Sequence, residues 1–349
     1  MGEYVAANLF CTTTPVAILS RRAFVVVPHS LLPEMGTGDL WLMTEPQQDA
    51  SGPWTGYVAL VGRPNAGKST LMNALVGEKL SIVSPRAQTT WQRVTGLRTT
   101  ADHQMIFLDT PGLLEVKDLH QRAMLGAAHE ALREADVVVL LLDPTRRLEE
   151  VRRTVVSEAL AETSASIFVV VNKIDTASGE AVSAAAEWAL ETLGVVAHRI
   201  SAQTGEGVAE LTRVLEGALP EGPFLYPADD LAMQPVRFFV AEFVRETVFE
   251  LYEDEIPYAV ATQVDEFREG QDPIYIGLTL FVERKSQKGI LIGSRGRAIR
   301  ELGTRARTKI ETFLGRPVYL DLWVKPLAGW RRKRHALSRL GYHVPEEAP

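Results

Sequence analysis

The chain has 349 residues, of which 46% are hydrophobic and 23% charged; that is the balance of a globular protein with about two domains. A single cysteine, Cys11, excludes a disulfide framework and a cysteine-held zinc site, and favours a reducing compartment. The net charge of −7 would exclude a polyanion partner only if it were spread evenly, and it is not. Residues 1–54 contain apolar runs such as Phe24-Val25-Val26-Val27, too short to span a membrane. Their nearest early charge is Glu3, so the basic start of a signal peptide is missing. This extension is expected to lie outside the fold, as a disordered segment or because translation starts at Met35 or Met43.

The apolar run Tyr57–Val61 reads as a buried strand, and Gly62-Arg63-Pro64-Asn65-Ala66-Gly67-Lys68-Ser69 follows it directly. This is a G-x-x-x-x-G-K-[ST] phosphate loop opening a helix at Ser69-Thr70-Leu71. Glycines let backbone N–H groups curl around a polyphosphate, and the helix N-terminus adds positive potential. Lys68 is placed for the β- and γ-phosphates and the Ser69 hydroxyl for Mg²⁺. Next comes a polar stretch with Ser84, Pro85, Arg86, Gln88, Thr89, Thr90 and Trp91. A threonine there can ligate Mg²⁺ and order the segment around a γ-phosphate. Thr90 is favoured, with Thr89 as the alternative.

Asp109-Thr110-Pro111-Gly112 closes the strand Met105–Leu108. The acid suits the Mg²⁺ hydration shell and the Gly112 N–H the γ-phosphate. Asn172-Lys173-Ile174-Asp175 lies at the carboxyl edge of the strand Ile167–Val171, where doubly wound sheets bind ligands. The Asp175 carboxylate can accept from N1–H and the N2 amino group of guanine, donors that adenine lacks. A backbone N–H at Ser201-Ala202 is expected to meet the guanine O6.

Leu219-Pro220-Glu221-Gly222-Pro223, with Pro227 and Pro235 beyond, reads as an extended linker over 220–235. From Arg284 to Arg334 fifteen Lys or Arg face three acids, Glu301, Glu311 and Asp321, the footprint of a polyanion site. Inside it, Gly293-Ser294-Arg295-Gly296 precedes a helical pattern through Ile299, Leu302, Ala306, Ile310 and Phe313. This resembles the G-x-x-G loop of a KH domain, which clamps about four nucleotides of single-stranded RNA. A helix from Pro235 to about Tyr252, strands at Tyr258–Phe267 and Ile274–Glu283, and a last strand Val318–Val324 complete an α-β-β-α-α-β order. Trp330 is expected to pack the terminal helix, with base stacking as the alternative.

The motifs from the phosphate loop to Ser201-Ala202, in this order and spacing, resemble a translation-factor-type GTPase domain over 55–219. Leu113 stands after Asp-x-x-Gly, so no glutamine there can orient the attacking water. GTPases with an apolar residue at that place often carry a phosphate-loop asparagine that helps bind K⁺. Asn65 matches, its alternative being a tight-turn residue. The whole chain over about 55–335 resembles the Era family of bacterial GTPases. Besides the loop, Arg86-Ala87-Gln88-Thr89-Thr90, Glu255-Ile256-Pro257-Tyr258, Glu283–Ile290 and Asp321-Leu322-Trp323-Val324-Lys325 carry that resemblance.

It implies an α/β protein: a phosphate-loop GTPase domain with a doubly wound, mostly parallel sheet, then a smaller α+β type II KH domain at 236–335 and a tail at 336–349. It implies GTP or GDP and Mg²⁺ as ligands, with K⁺ as a candidate third. Catalysis falls to Lys68, Thr90, Asp109 and Gly112. The nucleotide contacts are residues 62–70, Asp109, Thr110, Pro111, Gly112, Asn172, Lys173, Asp175, Ser201 and Ala202. The RNA contacts are Lys285, Lys288, Gly289, Ile292, Gly293, Ser294, Arg295, Gly296, Arg297 and Arg300. The partners implied are the 3′ end of 16S ribosomal RNA and the precursor of the 30S subunit, which a cytoplasmic monomer would help mature. Peripheral contact with the inner membrane is also implied. The alternative is a signalling GTPase whose basic domain meets anionic lipid. Two departures stand out. The family commonly has Gly-Lys-Gly-Gly where this chain has Gly-Ser-Arg-Gly, and a basic residue where this chain has Trp91.

Overall fold

The computed structural model describes residues 17–20, 23–26, 52–84, 86, 88–113, 116–146 and 163–345. The chain divides into two units, Met1–Ser51 and Gly52–Pro349. In the first, β1 (Ala17–Ser20) pairs antiparallel with β2 (Ala23–Val26). Those eight residues are strand, so the expectation of disorder does not hold for them; the rest of the segment lies outside the described residues.

The second unit opens with a six-stranded sheet: β3 (Trp54–Gly62), β4 (Val94–Thr99), β5 (His103–Asp109), β6 (Val137–Leu142), β7 (Ser166–Val171) and β8 (His198–Arg199). Its order is β4-β5-β3-β6-β7-β8, and only β4 runs antiparallel. Strands covered on both faces need unbroken apolar runs. Val137-Val138-Val139-Leu140-Leu141-Leu142 is such a run, buried throughout. The covering helices include α1 (Lys68–Val76), α2 (Leu119–Glu134), α3 (Gly179–Leu193) and α4 (Val208–Glu216).

The stretch 220–235 is extended, as its prolines dictate, but it is not a free linker. Pro220 O accepts from Thr55 N–H at 3.1 Å, and Leu231 O from Leu97 N–H at 2.9 Å. The buried Gln104 amide accepts from Leu225 N–H and Tyr226 N–H and donates to Tyr226 O at 2.8 Å. A buried amide must find partners, and the strap supplies them.

After it come α5 (Val236–Leu251), a short α6 (Ile256–Ala259), β9 (Val260–Arg268), β10 (Ile274–Val282), α7 (Lys285–Ile292), α8 (Arg297–Leu314) and β11 (Val318–Pro326). The sheet order is β11-β10-β9, with β10 and β11 parallel. The first strand starts at Val260 rather than Tyr258, because Pro257 sits in the first turn of α6 and favours helix there. The boundary drawn at 335 cuts a helix, α9 (Arg334–Arg339). Residues 336–345 are no loose tail: Ala336, Leu337, Tyr342 and Val344 are buried.

They join an aromatic cluster that fastens the two domains. Trp91, Ala123 and Met124 of the first domain meet Phe249, Phe281 and Trp330 of the second. Trp330 is fully buried, donates to Ala259 O at 3.1 Å and lies 6.2 Å from Tyr342, so it packs and is not available to a base. Among the described residues no helix is long and apolar enough to cross a membrane.

Candidate functional site

The turn from β3 into α1 frames a cleft of about 460 Å³ lined by Pro64, Asn65, Gly67, Lys68, Ser69 and Thr70. Gly67 adopts φ +97°, and a Cβ there would lie 2.2 Å from Asn172 Nδ2, so only glycine fits. Lys68 Nζ donates to Gly62 O at 3.3 Å and Arg63 O at 3.1 Å, bending back over the loop. Burial pushes its ammonium down to about 8 against the pull of Asp109. The same burial pushes the Asp109 carboxyl up, against Lys68 and Ser69. A cation in so dry a place attracts an anion strongly.

Beside it, Ser69 Oγ donates to Asp109 Oδ2 at 2.7 Å and lies 2.9 Å from Thr90 Oγ1, which is 3.5 Å from the same carboxylate oxygen. Asp109 Oδ1 is buried with no hydrogen-bond partner. Three oxygens converging on one point with an unsatisfied carboxylate oxygen fit a hard divalent cation. Thr90 is the threonine that joins them. The Thr89 carbonyl is turned away and accepts from Arg245 Nη2 at 2.6 Å.

Several assigned residues support the site without facing it. Thr110 Oγ1 donates to Leu60 O at 2.9 Å, and Ala66 is buried. Leu113 is buried in the sheet core, with its N–H donating to Gly62 O at 3.2 Å. The N–H groups at Ser201-Ala202, expected to meet the guanine O6, make hydrogen bonds within the protein. Ser201 N–H donates to Glu206 O and Ala202 N–H to Asn172 Oδ1, each at 2.9 Å. Asn172 Nδ2 in turn donates to Ala66 O at 2.9 Å. Asn172 therefore braces the phosphate loop against the base-side loop.

Lys173 Nζ lies 2.7 Å from Asp143 Oδ2. Burial alone would raise the Asp143 carboxyl, but the hydrogen bonds from Lys173 and Thr145 lower it. Asp175 is exposed at the same edge. Asp143, Thr145, Arg146 and Gln203 also line the cleft. Asp143 could have been found, since it follows the run Val137–Leu142 just as Asn172 follows β7.

A second cleft, of about 410 Å³, lies between α8 and the edge strand β11. Of the assigned RNA residues, Gly296 and Arg300 line it. Ser294, Arg295 and Arg297 are exposed beside it, as are Lys285 and Gly289 on α7. Lys288 is half-buried, and Ile292 packs partly into the core. Gly293 adopts φ +68°, and a Cβ there would meet Ala298 Cβ at 2.6 Å. Arg295 holds φ +54°, a left-handed conformation uncommon for a side-chain-bearing residue.

The unassigned lining residues are Ile299, Gly303, Thr304, Arg307, Leu320 and Leu322. Arg300, Gly303, Thr304 and Arg307 fall on one helix face at i, i+3, i+4 and i+7, a signal present in the sequence. Leu320 and Leu322 depend on the parallel pairing with β10, which is not local.

The segment before Thr90 is gripped from the second domain. Arg86 Nη1 donates to Tyr252 O, and Glu246 pairs with Lys79 at 2.8 Å and with Lys309 of α8 at 2.7 Å. Asp118, which caps α2, pairs with Arg331 at 2.6 Å.

Residues 57–173 match the 50S ribosome-binding GTPase family, and residues 255–331 match the KH domain family. The chain is 38% identical over 298 residues to GTPase Era of Geobacter metallireducens, spanning 82% of this chain and 97% of that one. It is 40% identical over 308 residues to GTPase Era of a Synechocystis strain, spanning 87% and 97%. An Aquifex aeolicus Era variant bound to GDP·AlF4⁻ superposes with a TM-score of 0.77 at 37% identity, covering 83% of this chain and 99% of that one. Era in complex with MgGDPNP and nucleotides 1506–1542 of 16S ribosomal RNA does so with the same TM-score, identity and coverage.

Proposed function

The chain belongs to the Era family of GTPases, and from that premise we propose that it binds the single-stranded 3′ end of 16S ribosomal RNA in its GTP form, assists maturation of the 30S subunit, and hydrolyses GTP to leave. The observation that carries this reading is the α8–β11 cleft: an apolar floor of Ile299, Leu320 and Leu322 beneath a rim of Arg300 and Arg307. Splayed bases pack on such a floor while guanidinium groups take the phosphates. The complex of a relative with a 16S fragment supports the choice of RNA. The protein would act as a monomer in the cytoplasm, with peripheral membrane contact.

In the nucleotide cleft, Lys68 binds the β- and γ-phosphates and the Gly112 N–H meets the γ-phosphate. Ser69 and Thr90 would hold Mg²⁺, with Asp109 on its hydration shell; the ion supplies charge against the phosphate oxygens. Asp175 reads guanine. Glu246 supports coupling between the clefts, since it ties α8 to Lys79 and also accepts from Val83 N–H at 3.5 Å. A nucleotide changes RNA affinity only if it favours one arrangement of such contacts.

Binding of an RNA of about 12 nucleotides from the 16S 3′ end, across a salt series, tests the reading; single strands give a log–log slope of about −0.7 per phosphate neutralised. Tight binding is expected with a non-hydrolysable GTP analogue and weak binding with GDP. Equal binding in both states would remove the switch, and no preference over a scrambled RNA would favour the anionic-lipid alternative.

Asn65, with φ +68° in the phosphate loop, is the proposed K⁺ ligand, the ion taking the part of an arginine finger. Turnover in K⁺ buffer is then expected to exceed that in Na⁺ buffer by at least about tenfold. Equal rates would discard K⁺.

A further inference from the structure

We propose that Arg245, a residue of the RNA-binding domain, is a positioning residue for GTP hydrolysis: it holds segment 88–91 so that Thr90 reaches the metal position. Its side chain is 2% exposed and touches that segment at two adjoining points. Nη2 donates to Thr89 O at 2.6 Å, and the guanidinium carbon lies 4.5 Å from the centre of the Trp91 ring. Thr90 lies between these two anchors, with its hydroxyl 2.9 Å from Ser69 Oγ. Trp91 Nε1 donates to Gln88 O at 2.8 Å, closing the turn on the other side. Glu242, one turn earlier on α5, pairs with Arg245 and sets the plane of its guanidinium.

Arginine can do this because its planar group donates in the plane and stacks on its face at once. The contact is a poor way to gain stability. Nη1 is buried with no partner, and an unmet buried donor costs about 1–3 kcal/mol. Apolar groups in place of a buried ion pair are often neutral or stabilising. What the arrangement does secure is the place of Thr90, and a shift of about 1 Å in a positioned group can cost about a hundredfold in rate. Turnover is thereby made to depend on the RNA-binding domain staying docked.

The proposal rests on Thr90 serving the GTP-bound metal, so the test includes Thr90 itself. In the full-length protein, Arg245→Met is expected to lower kcat about 30-fold and to raise KM for GTP by no more than about tenfold. It should also weaken binding of a non-hydrolysable GTP analogue with Mg²⁺ about tenfold while leaving GDP affinity unchanged, a ratio that general loosening would not move. Arg245→Lys, which can donate but not stack flat, should recover part of both losses. Glu242→Gln keeps the cation but frees its plane; it should give a smaller shift in the same direction and decides the matter if Arg245→Met does not fold. Wild-type kcat and analogue-to-GDP ratio in both Arg245→Met and Glu242→Gln would overturn the proposal, as would a wild-type ratio in Glu242→Gln if Arg245→Met does not fold. A Thr90→Ala protein with an unchanged ratio would overturn the role of Thr90, and this proposal with it. Loss of the ratio in Thr90→Ala but not in the Arg245 and Glu242 variants would overturn this proposal alone.

Discussion

Asp175→Asn is expected to weaken GTP and GDP binding about 10³-fold and to shift preference toward xanthosine nucleotides. In the proposed base site the carboxylate offers two acceptors to the guanine N1–H and N2 amino group. An asparagine of the same shape turns one acceptor into a donor facing a donor. Sites built on such pairs reject a mismatched partner by roughly 10⁴–10⁵ when fully enclosed. Asp175 is exposed at the rim of the sheet, so water offsets part of that cost, and the smaller figure follows. Xanthine carries a carbonyl at C2 where guanine has its amino group, and the new amide can donate to it. Competition binding among GTP, XTP and ATP reads the change. Unaltered GTP affinity would remove Asp175 from the base site.

The second large effect is expected from Ser294→Asp combined with Arg295→Asp. Both side chains are exposed in the G-x-x-G turn. The pair of changes removes one positive charge and adds two negative ones in the turn proposed to meet the RNA backbone. Loss of one charge-assisted hydrogen bond costs about 1.5–3 kcal/mol, and the two carboxylates add repulsion. A fall of about 100-fold or more in RNA affinity follows, with a shallower salt dependence. The fold should survive, because Arg295 already holds φ +54° and aspartate enters that region more readily than most residues. A thermal midpoint within a few degrees of the parent separates lost contact from lost fold. RNA affinity within threefold of the parent would place the interface elsewhere.

Between these two sites the sequence is uneven in what it reveals. Residues 62–69 are legible because the chemistry is consecutive: glycines, a lysine and a hydroxyl whose spacing is set by one turn of backbone. Asn172 and Asp175 are legible because an apolar run places them at a sheet edge. Asp143 obeys the same rule and is easier to overlook, since the residues after it spell no motif. The pair Thr89-Thr90 shows where local pattern ends. Neighbouring residues of one type differ only in direction, and Arg245, 155 positions away from Thr90, fixes that direction through Thr89.

Trp91 looks like a misplaced residue in a nucleotide-sensing segment until Trp330, Phe249 and Tyr342 surround it. The strap at 220–235 and the buried end at 336–345 likewise read as linker and tail, because prolines and charges describe the backbone's habit and not its partners.

The sequence by itself therefore determined the order of the main elements, the guanine nucleotide, the phosphate-loop motif and the presence of a G-x-x-G turn. Each depends on periodicity, turn chemistry or a short motif, and those are properties of neighbouring residues. The tertiary structure alone decided which threonine hydroxyl lies beside Ser69 and Asp109, how β11 closes the second cleft, and that the two domains share one aromatic seam. Those outcomes come from contacts between residues far apart in the chain, where packing and the need to satisfy every buried polar group override local preference.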